Sequence, residues 1–459
     1  MNVFDTLSQK KIGLKKPKSG GIKLFVCGPT VYDYSHIGHA RTYIVFDSFV
    51  KYLRSAGYKV FYLQNITDID DKIINRAKEN KTNPFSLAEK FKKEYFKDLK
   101  SLKITSVNKY AEAGKFIPQI VSQIKRLIKK GHAYKIENDG YYFNVSTFSD
   151  YGKLSKRTSG QAEDAISRID EGIGKKNKAD FCLWKFYKDG EPFWNTSLGK
   201  GRPGWHIEDT AITEKYFGPQ YDIHGGGIDL KFPHHEAEIA QQEAASGKKP
   251  LVKIWMHTGF LLVNGEKMSK SSGNFITIRD FLKKYPRKIL RLMILSNHYR
   301  SPFNYTDDLA LQTEESLKTI SEFLEKLEFV KNKGNEKSKT KASLKKYEKE
   351  FNKTLEDDFN TPKALAIIFN LISSTQKDIW NLSPKNAAII AQFIKKQLNV
   401  FEIELKPVKI PSKIGQLAKN REKFRINKHF IQSDQLRNQI EVLGYKIEDT
   451  PFGPFVRKS

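Results

Sequence analysis

Two short segments carry side chains suited to handling negative charge. His36-Ile37-Gly38-His39 sets two imidazoles three residues apart around a glycine. Their ring N–H groups can donate to phosphate oxygens as a pentacoordinate phosphorus forms, an electrostatic stabilisation of the transition state. Lys267-Met268-Ser269-Lys270-Ser271, followed by Ser272-Gly273-Asn274, sets two lysines in small, polar, flexible sequence. That suits transient neutralisation of pyrophosphate by a loop able to move. Alone, a His-x-x-His is commonly structural and a Lys-x-x-Lys commonly a solvated basic loop. The pair is far more specific.

The elements that must position these groups are legible around them. Ile22-Lys23-Leu24-Phe25-Val26 is a short apolar run ending at Cys27-Gly28-Pro29, which reads as a buried strand and a turn. From Gly38 the pattern becomes helical, with Val45, Phe49, Leu53 and Ala56 at spacings of three and four, and Gly57 as a stop. Val60-Phe61-Tyr62-Leu63 follows as a second strand. Strand, helix, strand is a βαβ unit, which implies an α/β fold on a parallel sheet with ligands at the strands' C-terminal ends. Gly38 then opens a helix directly after a strand, where free N–H groups and the helix dipole attract anions.

From about Asn80 to Lys200 the chain is charged and mixed without repeat, and reads as an insertion. Tyr221-Asp222-Ile223-His224 before Gly225-Gly226-Gly227 restores the regular pattern, as a strand and a turn. Ser301 to about Glu402 reads as helical, with Asn360-Thr361-Pro362 as a helix start and Lys331 to Glu350 as a solvated loop. A helix from Phe430 to Leu443, ended by Gly444, marks a small appended domain.

A chain of 459 residues exceeds what one hydrophobic core supports, so several domains are expected. No apolar run reaches spanning length, and the Lys-dotted first residues lack a secretory pattern, so no membrane association is expected. Two cysteines, Cys27 and Cys182, cannot build a disulfide framework, which fits a reducing cytoplasm. The net charge of +28 favours a polyanionic partner, although a Lys-rich proteome would produce the same number.

The paired motifs resemble the signature of class I aminoacyl-tRNA synthetases, and the whole chain resembles the cysteinyl-tRNA synthetases. The residues that carry this are Phe25-Val26-Cys27-Gly28-Pro29-Thr30-Val31-Tyr32-Asp33, Asn65 through Lys72, Gly201 through Glu208, and His224-Gly225-Gly226-Gly227 leading to Phe232-Pro233-His234-His235-Glu236. Asp357 through Pro362 and Leu443 through Pro451 extend the likeness to the C-terminal regions. The resemblance implies a Rossmann-like catalytic domain in two halves, 1–110 and 201–250, separated by a connective insertion at 111–200. A stem-contact region at 251–305 bearing the lysine motif would follow, then a helical-bundle domain at 306–402 for tRNA and a small mixed domain at 403–459 for the anticodon.

By the same resemblance, cysteine attacks the α-phosphate of ATP, accompanied by Mg, and the acyl group passes to the terminal adenosine of tRNA-Cys. His36 and His39 would stabilise the phosphates, and Lys267 and Lys270 the departing pyrophosphate. Gly38, Gly225, Gly226, Gly227, Asp229 and Met268 would contact ATP. Gly28, Thr30, Thr67, Trp205 and His224 would line the amino-acid pocket. A monomer is implied.

The family's catalytic zinc holds the substrate thiolate, a far stronger ligand than a serine hydroxyl. Cys27, His234 and Glu238 match three of its ligands. The last two are four apart, on one face if helical. Where the family has a fourth ligand, cysteine, this chain has Asp209. Asp209 ligating the zinc, a metal held by the other three alone, and a weakened or lost site all remain open; the first is favoured. His235 and Glu236 are adjacent candidates.

Arg425, Asp434 and Asp449 match positions that read the anticodon, by guanidinium and carboxylate contacts to bases. Phe455, where the family tends to have Trp, is a candidate for stacking on a base. A same-fold ligase joining cysteine to a small amine would lack the C-terminal matches, and a non-catalytic tRNA-binding paralogue would lack His36, His39, Lys267 or Lys270. A zinc hydrolase built on His234-His235-Glu236 lacks the usual His-Glu-x-x-His spacing.

Overall fold

The computed structural model describes residues 1–17, 20–157, 174–269, 273–331 and 340–459. The apolar runs around the histidine motif form a five-stranded sheet, all parallel, in the order Val252–Thr258, Tyr221–Gly227, Ile22–Val26, Val60–Ile66, Lys109–Glu112. The expected βαβ unit is its centre: Ile22–Val26, the helix Ile37–Ser55, then Val60–Ile66. Gly57, at φ +80°, provides the left-handed residue just past that helix.

The helices Ile117–Lys129, Trp205–Phe217 and His234–Ser246 pack together over a shared core. Ile117, Ile120, Ile124 and Leu127 give the first an apolar stripe. Ala237, Ala240 and Ala244 give the third a small-residue one, which allows close approach. The helix Ile37–Ser55 packs against the sheet through Phe46, whose ring fills the space a Cβ on Gly225 would need, at 2.3 Å. The glycine run is therefore part of a strand, Tyr221–Gly227, and not the expected turn.

The region between the sheet's halves carries an antiparallel sheet of its own, ordered Ala133–Ile136, Gly140–Phe143, Phe181–Phe186, Gly199–Pro203, Trp194–Thr196. Residues Met1–Arg287, Asn297–Thr306 and Glu356–Phe359 make one compact unit. Within it the buried Asp358 accepts hydrogen bonds from the Phe4 N–H (2.9 Å), Tyr299 OH (2.6 Å) and Arg300 Nε (2.8 Å).

The second unit, Lys288–Ser296, Asp307–Leu355 and Asn360–Ser459, is helical up to a final helix pair and hairpin. Asn360 caps the helix Thr361–Gln376 by accepting from the Lys363 N–H, with proline in the first turn. Of the expected loop at 331–350, residues 340–350 belong instead to the helix Thr340–Glu356, and 332–339 lie outside the described residues. Phe455 departs as well: it is buried against Phe329 with ring centroids 5.5 Å apart, so it packs instead of offering a face to a base. No helix among the described residues is long and apolar enough to cross a membrane.

Candidate active site and metal centre

A cavity of about 370 Å³ opens at the C-terminal ends of the parallel strands. Cys27 and Gly28 follow the first strand, Asn65 and Thr67 stand at the end of the second, and Gly227 and Thr258 end two others; all line it. Tight packing fixes this rim. A Cβ on Gly28 would lie 1.8 Å from the Asn65 carbonyl oxygen, so only glycine fits, and its N–H donates to Asn65 Oδ1 at 2.5 Å. Thr67 donates to the buried Glu208 at 3.0 Å, and its N–H bonds to the Pro29 carbonyl at 3.2 Å.

His36 is the N-cap of the helix Ile37–Ser55. Its Nδ1 accepts from the N–H of Gly38 at 3.1 Å and of His39 at 3.4 Å, while its own N–H donates to His39 Nδ1 at 3.3 Å. This is a capping box built from two histidines. Ile37 N–H bonds to the Ile276 carbonyl. The first-turn N–H groups are thereby occupied, contrary to the expectation that they stand free for an anion. The imidazoles replace them: with each Nδ1 accepting, each neutral ring carries its proton on Nε2. Burial, with a smaller contribution from Lys72, holds His39 down at about 4. A Cβ on Gly38 would meet the His36 ring at 2.8 Å, which explains the glycine between them.

The lysine motif reaches the same cavity. Lys267 and Met268 line it together with His36, Gly38 and His39. Lys267 sits on a hairpin opposite Leu262, and Asn274 clasps the loop, accepting from the Ser269 N–H at 2.8 Å and donating to the Lys267 carbonyl at 3.3 Å. Residues 276–278 then pair with 35–37, so the two motifs are joined through backbone hydrogen bonds. Lys270 and Ser271 lie outside the described residues.

Thr30, Trp205 and Asp229 also line the cavity. Gly225 and Gly226 do not: they face Phe46 and the His235 ring. His224 is likewise off the lining, buried behind Cys27 with its Nε2 3.3 Å from Sγ. Lys72, quoted within a motif but given no role by the sequence, lines the cavity near Tyr32 and Trp205. Its signal was Asp70, a capping residue that starts a helix at Asp71 and aims its first turn.

Four candidate ligands come together. Cys27, Asp209, His234 and Glu238 are all buried, with one ligand atom each within a mutual 4.8 Å. His234–Ser246 is a helix, so His234 and Glu238 share a face, and His234 Nε2 lies 3.1 Å from Asp209 Oδ2 and 3.2 Å from Glu238 Oε1. Trp205 stacks on the His234 ring, and His206 Nδ1 lies 2.8 Å from His234 Nδ1. Neither oxygen of the buried Glu238 makes a hydrogen bond among the described residues. Burial, then the charge of Asp209, raises its carboxyl well above the usual range, and burial raises the Cys27 thiol in the same way. Orphaned carboxylate oxygens beside a thiol and an imidazole fit a divalent cation, and the S/N/O mixture fits zinc. Such an ion lowers the cost of ionising both groups.

In the second unit Asp449 is held bidentately by Arg421, with Arg425 Nε at 3.7 Å and Arg437 Nη2 at 3.6 Å. The Arg421 hydrogen bond lowers its carboxyl below the ordinary value. Arg425 also bonds to Glu422, and Asp434 is exposed on the helix Phe430–Val442. The structure brings Arg425 and Asp449 together, and adds Arg421 and Arg437, which the sequence reading missed.

Residues 14–315 match the tRNA synthetases class I (C) catalytic domain, and residues 350–406 match the DALR domain. The cysteine--tRNA ligase of Thermoplasma volcanium is 45% identical over 453 positions, covering 98% of each chain. That of Thermococcus gammatolerans is 41% identical over 471 positions, covering 99% of this chain and 98% of the relative. Among solved structures, Mycobacterium tuberculosis methionyl-tRNA synthetase with methionyl-adenylate superposes with a TM-score of 0.61 at 16% identity, covering 83% of this chain and 89% of the other, which shows the shared fold. On the strength of the full-length identity and the matched catalytic domain, this chain belongs to the cysteine--tRNA ligase family of class I tRNA synthetases.

Proposed function

We propose that this chain activates cysteine with ATP and transfers it to the 3′-terminal adenosine of tRNA-Cys. The cysteine carboxylate attacks the α-phosphorus, a P–O bond forms as the bond to pyrophosphate breaks, and the ribose hydroxyl of tRNA then displaces AMP. The observation that carries the reading is the convergence of the His36–His39 box, Lys267 and the Cys27 cluster on one cavity.

His36 and His39 act as neutral Nε2–H donors to phosphate oxygens, their tautomers set by the backbone groups that occupy each Nδ1. Lys267, with Lys270, neutralises the leaving pyrophosphate, and the Asn274 clasp limits how far the loop strays. Gly227 and Asp229 take the nucleoside, while Gly28, Thr30, Thr67 and Trp205 shape the amino-acid end. Cys27, His234, Glu238 and Asp209 would hold zinc, which supplies a soft Lewis acid for the substrate thiolate that serine cannot match. Arg425, Asp434 and Asp449 meet the anticodon. The same reading makes the protein a cytoplasmic monomer that uses Mg with ATP.

The test is ATP–pyrophosphate exchange with each amino acid in turn, with and without added zinc. Exchange driven by cysteine is expected, and exchange driven by another amino acid overturns the assignment.

A further inference from the structure

Next to the amino-acid end of the cavity stands a buried carboxylate outside the metal cluster. Glu208 lies in the first turn of the helix Trp205–Phe217, is fully buried and does not line the cavity. Its Oε2 accepts from the Thr67 hydroxyl at 3.0 Å, while Oε1 makes no hydrogen bond among the described residues.

The backbone of Thr67 is committed on both sides. Its N–H donates to the Pro29 carbonyl at 3.2 Å, and its carbonyl accepts from the Val31 N–H at 3.2 Å. What can still turn is the hydroxyl, which has one proton and two lone pairs. Asn65 fixes one lone pair. Its Oδ1 accepts from the Gly28 N–H at 2.5 Å, and its Nδ2 donates to Thr67 Oγ1 at 3.3 Å. Glu208 takes the proton. Oε2 can accept whether or not Oε1 carries a proton, so the arrangement does not depend on the charge of the carboxyl. One lone pair remains, on a side chain that lines the cavity.

The Thr67 hydroxyl therefore meets a ligand as an acceptor only, and this sorts the two polar ends of an amino acid. An α-ammonium brings N–H donors and no acceptor, whereas an α-carboxylate brings acceptors alone. Only the ammonium can bond to a hydroxyl whose proton is already held. The carboxylate is left for the rest of the cavity, which includes His36, His39 and Lys267. Without Glu208 the hydroxyl could turn its proton into the cavity and serve either end. We propose that Glu208 is a positioning residue for amino-acid recognition: by holding the Thr67 proton, it keeps the hydroxyl oxygen presented to the substrate α-ammonium. This rests on the reading that the cavity activates cysteine.

The experiment is ATP–pyrophosphate exchange by the full-length zinc-loaded protein, with KM for cysteine and inhibition constants for two competitors. Cysteamine keeps the thiol and amine of cysteine; 3-mercaptopropionate keeps the thiol and carboxylate. Glu208→Met removes the acceptor at similar size. Glu208→Asp keeps a buried carboxylate but withdraws it from Thr67, and carries the comparison alone if the methionine variant fails to fold. Each should raise the KM for cysteine and the inhibition constant of cysteamine by about tenfold or more, the scale of a hydrogen bond to a charged group. The constant for 3-mercaptopropionate should change by less than about threefold, on the same scale. Glu208→Gln retains an acceptor oxygen and should stay within about threefold for every compound. A role in the fold or the metal site would weaken both competitors together, so equal loss of cysteamine and 3-mercaptopropionate overturns the proposal. An unchanged KM for cysteine in the folded variants overturns it as well. Exchange by the unaltered protein that cysteine does not drive overturns the activity reading, and the positioning role with it.

Discussion

His36 and His39 hold each other's rings: the His36 N–H donates to His39 Nδ1 at 3.3 Å, and His36 Nδ1 accepts from the His39 N–H at 3.4 Å. The histidines therefore start the helix as well as carrying the chemistry proposed for them. His36→Asn separates the two roles, since asparagine caps well but lacks the Nε2–H donor. Pyrophosphate exchange at saturating ATP should fall by about 100-fold in both His36→Asn and His36→Ala. The melting temperature should drop only in the alanine variant, by the equivalent of about 1 kcal/mol. If activity instead tracks melting temperature across the pair, His36 is only a cap.

His39 links the site to pH. Burial lowers it from 6.5 to about 4, so between those values the unfolded chain binds the extra proton. Its contribution to stability is present above 6.5 and is lost as pH falls toward 4, by about 3 kcal/mol in all. Melting followed from pH 7 to pH 5 should show this decline, with a shallower slope in His39→Gln. The ring stays neutral through the physiological range, so exchange measured between pH 6.5 and 8 should show no limb assignable to His39.

Gly225 and Phe46 pack closely where the first helix meets the sheet. A methyl at 225 would stand 2.3 Å from the Phe46 ring. Gly225→Ala should destabilise the protein by about 1–3 kcal/mol through overpacking. Adding Phe46→Leu should recover part of that loss in chemical denaturation. Equal loss in the single and double variants would show that the space is not shared.

Asp449 gathers Arg421, Arg425 and Arg437 in the second unit. Removing it strands the buried Arg421, so Arg425→Ala and Arg437→Ala are the cleaner substitutions. Each should lower tRNA charging about tenfold or more and leave cysteine-dependent pyrophosphate exchange unchanged. A parallel loss of both activities would place these side chains outside tRNA recognition.

Much of the layout was already present in the order of residues. The apolar runs at Ile22–Val26 and Val60–Leu63 with a 3.6-residue pattern between them determine a βαβ unit, because burial of one helix face and of whole strands leaves a local trace. The i,i+4 spacing of His234 and Glu238 needed only a helix to become a shared face. The glycine run misled for a physical reason: lacking a Cβ serves a turn and close packing alike, and only the position of Phe46 and His235 shows which applies at Gly225 and Gly226. The backbone bridge from 276–278 to 35–37, which joins the two motifs, and the histidine behind Cys27 were equally out of reach. His224 and His235 come within 3.3 Å of Cys27 across about 200 residues of chain, a juxtaposition set by sheet order. Sequence alone determined which chemistry was present. The tertiary structure decided which donors converge on it, because ligand sets are defined by distance in space and not by separation along the chain.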